Sequence, residues 1–324
     1  MTTVLVTGVG AIIGYGVLRS LRAASAGYRL VGADIFSDAV GQVWADSFEP
    51  APLTRSDDYL PWLADVVARH GVDLLIPGIE QDLHRLSDAR DLLPGLGIRC
   101  VLNDKALVDL SKDKWHTFRV LEAANDRLRI PTLASGSYEE LADTFGVPFL
   151  LKPRQGYASK GLVWVTSKEV FAQHSAALGE RLVAQPIVGT DDAEYTVGVF
   201  GDGNGGVAAT ITLRRKLAPD GSTAKAWVEQ DSTLNSEVAR LAARLRPLGP
   251  TNLQFRAHDG GWRLLEINPR ISSSTSLRTA FGYNESQMCV EYFVRGQMPI
   301  QPVISKGFAS RYIEDYVIHD RSDF

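Results

Sequence analysis

Three stretches of the chain concentrate side chains suited to holding a polyanion. In Lys152-Pro-Arg154-Gln-Gly156-Tyr-Ala-Ser159-Lys160-Gly161, an apolar run delivers a lysine, and a glycine loop then carries hydroxyl and ammonium groups up to the next apolar run. Glycines let backbone N–H groups approach phosphate oxygens while lysines neutralise their charge, although glycine and serine are equally ordinary turn residues. It is no Walker loop, because Leu162 follows Gly161 and the next element reads as a strand. A second stretch places Lys112 and Lys114 at the start of a helix read from an N-cap at Ser111. Cations in a first turn oppose the helix dipole at a cost of about 0.3–1 kcal/mol each, which an anionic ligand would offset.

The third stretch is a hairpin from Thr251 to Asn268. Strand residues alternate faces, so Asn252, Gln254 and Arg256 share one face, and Trp262, Leu264, Glu266 and Asn268 share one face of the return strand. A three-residue loop at Asp259-Gly-Gly261 pairs His258 with Trp262 and sets Gln254 opposite Glu266. One carboxylate flanked by two amide oxygens, Gln254 and Asn268, is an all-oxygen set that suits a hard cation such as Mg²⁺ holding substrate phosphates. A plain polar outer face is the alternative. Just beyond, Arg270 and the Ser272–Thr275 run add a guanidinium and hydroxyls that can bind a carboxylate or a transferring phosphoryl group.

The N-terminal Thr7-Gly8-Val-Gly10-Ala-Ile-Ile-Gly14 turn lies between a strand and a helix, with Asp34 20 residues beyond Gly14. This approaches a dinucleotide fingerprint but has Ile13 where a glycine is required. A phosphate over the helix start and a tight packing turn both remain open. Glu80 and Asp82 follow the third strand, where open α/β sheets present ligands; an acceptor-amine site and a solvated acidic loop both fit them. Tyr157 and Lys160 have two intervening residues rather than the three of a short-chain dehydrogenase pair.

These residues need positioning elements. Val4–Val6, Arg29–Asp34 and Val72–Pro77 read as buried strands, alternating with helices after Gly14 and over Tyr59–His70, which predicts a parallel sheet with right-handed crossovers. Beyond about residue 105 the pattern becomes α+β. Strands are expected at Pro148–Lys152, Leu162–Thr166, Leu182–Val188 with Pro186 interrupting, Glu194–Phe200 and Val207–Leu213. A helix is expected over 168–179, and another over Ser236–Leu248, closed by Gly249-Pro250. The predicted class is α/β, a Rossmann-like N-terminal domain over 1–105 followed by an α+β domain over 106–324.

The chain has 324 residues, 45% apolar and 22% charged, with a formal net charge of −4, the composition of a globular protein with a substantial core. It lacks the basic excess of a general nucleic-acid binder, a signal peptide and any apolar run of the ~20 residues that span a bilayer. Two cysteines, Cys100 and Cys289, fit a reducing compartment, so a cytoplasmic location with no membrane or nucleic-acid partner is expected. None of the six histidines forms a metal-type spacing with another.

Taken together these segments resemble the ATP-grasp superfamily, closest to its single-module, carbamoyl-phosphate-synthetase-like carboxylate–amine ligases. The resemblance rests on Asp113-Lys114, Leu151-Lys-Pro-Arg-Gln-Gly156 with Ser159-Lys-Gly161, Gln185-Pro-Ile-Val-Gly189 leading to Glu194-Tyr-Thr-Val197, Gly249-Pro-Thr-Asn-Leu-Gln254 and Leu265-Glu-Ile-Asn-Pro-Arg270. The N-terminal domain resembles the pre-ATP-grasp domain. The resemblance implies a lid subdomain over about 115–187 and a metal and substrate subdomain over 188–324. It further implies that Lys114 and Lys152 contact ATP phosphates under a mobile loop from Gly156 through Ser159 and Lys160 to Gly161. Gln185, Pro186 and Ile187 would line the adenine, and Glu194 would take the ribose hydroxyls, with Asp191 or Asp192 as competitors. Gln254, Glu266 and Asn268 would hold Mg²⁺, or Mn²⁺ in its place, and Arg270 would face the reacting phosphoryl group. Synthetase modules carry a second arginine where this chain has Ser273, so bicarbonate chemistry is less expected than activation of a small carboxylic acid as an acyl phosphate and its capture by an amine. Small carboxylate and amine partners are expected, and a homodimer is allowed. A nucleotide-binding protein without turnover, an NAD(P) oxidoreductase using the N-terminal turn and a bicarbonate-dependent module are the alternatives.

Overall fold

The computed structural model describes residues 1–156 and 161–317, so Ser159, Lys160 and most of the expected loop over the phosphates lie outside the described residues. The N-terminal region runs β1 (Thr3–Thr7), α1 (Ile12–Arg22), β2 (Arg29–Asp34), β3 (Ser47–Pro50), α2 (Tyr59–His70), β4 (Leu74–Ile76) and α3 (Glu80–Asp88). Its strands form a parallel sheet in the order β3-β2-β1-β4. Alternation along β1 explains why the sheet is covered on both sides. Val4 and Val6 pack with Val17, Leu18 and Leu21 of α1, while Leu5 packs with Leu63 and Val66 of α2.

Glycines bring the starts of α1 and α3 together. A Cβ on Gly14 would lie 2.2 Å from the Gly8 carbonyl oxygen, and one on Gly78 would lie 2.1 Å from the Thr7 carbonyl oxygen and 2.7 Å from the Gly14 Cα. The glycine turn is therefore a packing joint. Asp34 accepts hydrogen bonds from Gly10 N at 2.8 Å and Phe36 N at 3.1 Å, so both carboxylate oxygens that a dinucleotide ribose would require are engaged within the turn.

Two helices, α4 (Lys105–Lys112) and α5 (Lys114–Ala123), lead into α6 (Tyr138–Phe145), β5 (Phe149–Pro153), β6 (Val163–Val165), α7 (Lys168–His174) and β7 (Leu182–Gln185), whose strands form a small antiparallel sheet in the order β6-β5-β7. The expected N-cap at Ser111 is corrected. Ser111 lies inside α4 and its hydroxyl donates to Val108 O, whereas Asp113 caps α5 by accepting from Trp115 N at 2.8 Å, which makes Lys114 the first residue of that helix.

The remaining elements are β8 (Glu194–Asp202), β9 (Val207–Leu217), β10 (Thr223–Glu229), α8 (Ser232–Leu245), β11 (Leu248–His258), β12 (Gly261–Asn268), α9 (Thr275–Ala280), α10 (Glu285–Arg295) and β13 (Phe308–Ser310). They build a six-stranded sheet in the order β12-β11-β8-β9-β10-β13, antiparallel throughout. Gly249-Pro250 does not end a helix, as expected, but runs inside β11; α8 stops at Leu245 because Arg246 turns left-handed, with φ 49°. One face of the sheet packs Val197, Val199, Leu253 and Phe255 against Leu234, Val238 and Leu241 of α8. On the other face, Phe200, Ile211 and Leu213 share a core with α1, Met288 and Cys289. Thr279 Oγ1 donates to Ser20 Oγ at 2.9 Å and Asn284 Nδ2 to Ser20 O at 2.7 Å, fastening α9 and α10 to α1.

Within this joint Arg278 and Glu285 are fully buried and paired at 3.1 Å, and the same guanidinium donates to Thr196 Oγ1 and Asn252 Oδ1. Arg278→Met would strand a buried carboxylate, so it is expected to cost roughly 3–5 kcal/mol of stability. Urea denaturation should show Arg278→Met/Glu285→Leu recovering much of that loss; a double variant no more stable than the single one would contradict the pairing.

Candidate active site

The hairpin register places the chemistry. Asp259 (φ 49°) and Gly260 (φ 69°) form a two-residue turn of the type that needs positive φ at both positions, and His258 pairs with Gly261. The expected three-residue loop is thus corrected, but a bulge between Gln254 and Phe255 absorbs the offset and Gln254 still lies opposite Glu266. Because the bulge shifts the alternation, Trp262 and Leu264 face the α8 core instead of sharing a face with Glu266. Leu265, Glu266 and Asn268 line the cleft.

Three cross-strand rows cover the cleft face of the large sheet. Arg215, Glu194 and Arg256 form one, Thr196, Gln254 and Glu266 the next, and Gly198, Asn252 and Asn268 the third. Glu194 is buried between its neighbours, with Oε1 2.8 Å from Arg215 Nη2 and Oε2 within 3.0 Å of Arg256 Nε. The expected ribose acceptor therefore has both oxygens occupied by guanidinium groups. Its competitors are also engaged, Asp191 with Arg256 and Asp192 with Lys216, each at 2.7 Å. Arg215 is the residue that the sequence reading missed. Its signal was alternation: Arg215 falls on the same face of β9 as the buried Ile211 and Leu213, and burial pushes its pKa down while Glu194 opposes that shift.

Across the cleft, Leu150 and Lys152 of β5 share a face. Lys114 reaches the same space from α5, donating to Gly156 O at 3.1 Å and lying 3.9 Å from Glu266 Oε1. Arg154 turns away to Asp113, whose carboxyl burial would raise but Arg154 and Trp115 N hold below the usual range. Asn268 Nδ2 donates to Glu266 Oε2 at 3.2 Å, and Arg270 Nη2 donates to Asn268 Oδ1 at 3.2 Å. A cleft of about 990 Å³ thus gathers Lys114, Lys152, Gly156, Ile187, Glu194, Gln254, Glu266, Asn268 and Arg270, near the upper end of the roughly 300–1,000 Å³ typical of small-molecule sites. Leu150, Ile187, Val188 and Leu265 supply an apolar portion.

Three expected residues stand elsewhere. Gln185 is buried with its amide donating to Thr132 Oγ1 at 2.9 Å, in a small side cavity that Lys114 and Glu266 also border. Pro186 and Gly161 are not among the lining residues of the cleft. The fourth wall comes from the N-terminal region, through Ala11–Ile13 and Gly78–Gln81. Of the two acids expected there, Asp82 is internal, accepting from Thr54 Oγ1 at 2.5 Å with its pKa raised mainly by burial, and Glu80 alone faces the cleft.

Burial, and then the nearby charges of Lys114 and Arg256, push the Lys152 pKa down to about 8 against the pull of Glu266 and Glu194. Its ammonium is lost as pH rises through that value, so affinity for a polyanionic ligand should weaken between about pH 7 and 9. Stability moves the other way: the folded chain releases this proton near 8 and the unfolded chain near 10.5, so this group's contribution rises with pH between the two. Titrating ATP at several pH values should show the weakening in the wild type and a flat profile in Lys152→Arg; identical profiles would remove Lys152 from the anion site.

A family model described as "ATP-grasp in the biosynthetic pathway with Ter operon" matches residues 182–316. The carbamoyl phosphate synthase large chain of Hyperthermus butylicus is 25% identical over 301 residues, covering 87% of this chain and 27% of that protein. The chain spans between 15% and 27% of the length of the curated relatives it matches. Among solved structures, the N5-carboxyaminoimidazole synthetase of Staphylococcus aureus complexed with ADP superposes with a TM-score of 0.72 at 17% identity, covering 94% of this chain and 80% of that one. The L-amino acid ligase of Bacillus licheniformis gives 0.66 at 15% identity, covering 94% and 75%.

Proposed function

From the ATP-grasp fold of this chain we propose that it is an ATP-dependent, ADP-forming ligase that activates a small carboxylic acid as an acyl phosphate and joins it to an amine. The observation that carries this reading is the convergence of Lys114, Lys152, Gln254, Glu266, Asn268 and Arg270 on one cleft from separate sheets and helices. On this reading residues 1–105 form the selective domain and 106–324 the nucleotide module, with 115–187 as its upper part.

The chemistry needs no protein nucleophile. A carboxylate oxygen attacks the γ-phosphorus of ATP and ADP leaves. The amine nitrogen then attacks the acyl carbon, phosphate departs with the C–O electron pair, and the nitrogen gives up its proton. What the protein supplies is charge neutralisation and alignment of two reactants. Lys114 and Lys152 face the phosphates, and the Leu150, Ile187 and Val188 surface receives the base. Arg270, held by Asn268 Oδ1 on one side and Ile271 O on the other, is aimed at the oxygens of the transferring group. Glu194 does not bind the ribose through a free carboxylate but fixes Arg215 and Arg256 as a guanidinium pair on the cleft floor.

One carboxylate and two amide side chains in adjacent rows fit a hard divalent cation, so Gln254, Glu266 and Asn268 would hold Mg²⁺, which when bound neutralises phosphate charge. The ADP and Mg²⁺ named with some of the similar structures agree with this use. A bicarbonate-dependent module is disfavoured by Ser273, which supplies no second guanidinium beside Arg270. Glu266→Gln preserves shape and removes the charge, so ADP release should fall by two orders of magnitude or more with an unchanged circular dichroism spectrum. Asn268→Ala, which water can partly replace, should lose less. ADP release should require an organic acid, with phosphate in equal amount and hydroxamate formed when hydroxylamine is the trap. Release driven by bicarbonate alone, or AMP in place of ADP, would refute the reading.

A further inference from the structure

Six carboxylates line the cleft: Glu80, Asp191, Asp192, Glu194, Asp220 and Glu266. Five are already hydrogen-bonded. Asp191 binds Arg256 and Asp192 binds Lys216, each at 2.7 Å; Glu194 binds Arg215 and Arg256; Asp220 accepts from Ser222 N at 2.9 Å; and Glu266 accepts from Asn268 at 3.2 Å. Glu80 makes no hydrogen bond to any described residue. Its nearest charged neighbours are Arg270 Nη2 at 3.9 Å and His84 Nε2 at 4.0 Å, within Coulomb reach but beyond hydrogen-bond length. It stands at the first position of α3 and lines the cleft. A partly buried carboxylate without a donor calls for one from the ligand.

The geometry points to Glu80 as the residue that receives the protonated amino group of an α-amino acid, whose carboxylate lies toward Arg270 and the Ser272–Ser273 segment. The inference rests on the ligase reading for the site as a whole and adds the class of its second ligand. An anion and a cation 3.9 Å apart on one wall match a zwitterion, whose own charges are separated by a single carbon. A simple carboxylic acid would satisfy Arg270 and leave Glu80 facing it with like charge. A metal ion is a poorer match, since the Arg270 guanidinium 3.9 Å from this carboxylate would repel it. The wall is also rigid: Gly14 and Gly78 lock the starts of α1 and α3 together, so Glu80 is presented from a fixed helix end.

The test uses the full chain, with the twenty protein amino acids and their 2-hydroxy-acid counterparts as probes, read by saturation-transfer NMR and then by titration. At least one amino acid should bind while its hydroxy analogue binds ten-fold or more weakly. Glu80→Gln should erase that preference, with Glu80→Asp retaining part of it. Melting curves and an ATP titration on each variant report folding and the nucleotide half of the cleft. Absence of amino-acid binding, equal binding of the hydroxy acids, or a preference that survives in a folded Glu80→Gln chain would each overturn the inference. So would a Glu80→Gln chain that keeps the preference and binds ATP more tightly, because Glu80 would then act as a counter-charge for Arg270. A chain that binds amino acids through Glu80 but neither binds ATP nor releases ADP would sink the ligase reading and leave the amine site standing.

Discussion

Like charges held close together in a half-buried cleft are the constraint around which the rest of this molecule is arranged. Lys152 shares its surroundings with Lys114 and Arg256, and only Glu266 and Glu194 oppose them. Like charges repel more strongly in a medium less polar than water, and a fold without use for them would place these side chains in solvent. Here strands and a helix start hold them inward. Lys152 lies on β5 between two neighbouring strands, Lys114 at the first turn of α5 with Asp113 as cap, and Arg256 on the central strand β11. A polyanion in the cleft would relieve that repulsion.

The large sheet sets how that charge is distributed. Antiparallel pairing brings residues of four strands, β8, β9, β11 and β12, together in three rows. The Arg215–Glu194–Arg256 row converts two repelling guanidiniums into a fixed pair by placing a carboxylate between them. The Gln254–Glu266 row and Asn268 beside it provide hard oxygen ligands. The bulge between Gln254 and Phe255 separates two duties that the plain alternation of β12 would have mixed, sending Leu264 and Trp262 to the α8 core and Glu266 to the cleft. Removing the bulge would turn Glu266 onto the wrong face for its work.

Much of this was legible in the amino-acid sequence because strand alternation and turn chemistry act locally. The spans of β2 and α2 and the inward Lys152 of β5 follow from spacing alone, whereas Gln254 meets Glu266 through a two-residue turn and a compensating bulge. What escaped depended on non-local partners or on the choice between two nearly equal local solutions. Ser111 and Asp113 are both good caps; Asp113 prevails because Arg154, 41 residues away, also holds its carboxylate. Gly249-Pro250 resembles a helix stop, yet pairing with Phe200 and Gly201 draws it into β11. Glu194 was read as a free acceptor because nothing in its own segment announces Arg215, which arrives from the neighbouring strand. Ile13 in place of a glycine already favours a packing joint over a phosphate loop at the N-terminal turn, and the close approach of Gly78 to Gly14 and the capture of Gly10 by Asp34 agree with it.

That joint bears on how selectivity and energy supply are divided in this fold. Lys114, Lys152, Gln254, Glu266, Asn268 and Arg270 all lie beyond residue 113, whereas the wall that sets Glu80 beside Arg270 is made by residues before 82. The two halves meet through buried, specific contacts: Ser20 with Thr279 and Asn284, Asn103 with Leu248 N and Thr251 Oγ1, and a hydrophobic core shared by α1 and α10. A joint of that kind sets the N-terminal wall against the cleft face of the large sheet, and the proposed in-line attack of one bound molecule on another needs such alignment. Glu80 lies 3.9 Å from Arg270 and 4.0 Å from His84, outside the three rows of the sheet, so a change at this position would act on the cleft through Arg270. On the proposed reading, the helix ends of the N-terminal sheet select the substrate, and the rows of the large sheet supply the charge that acts on it.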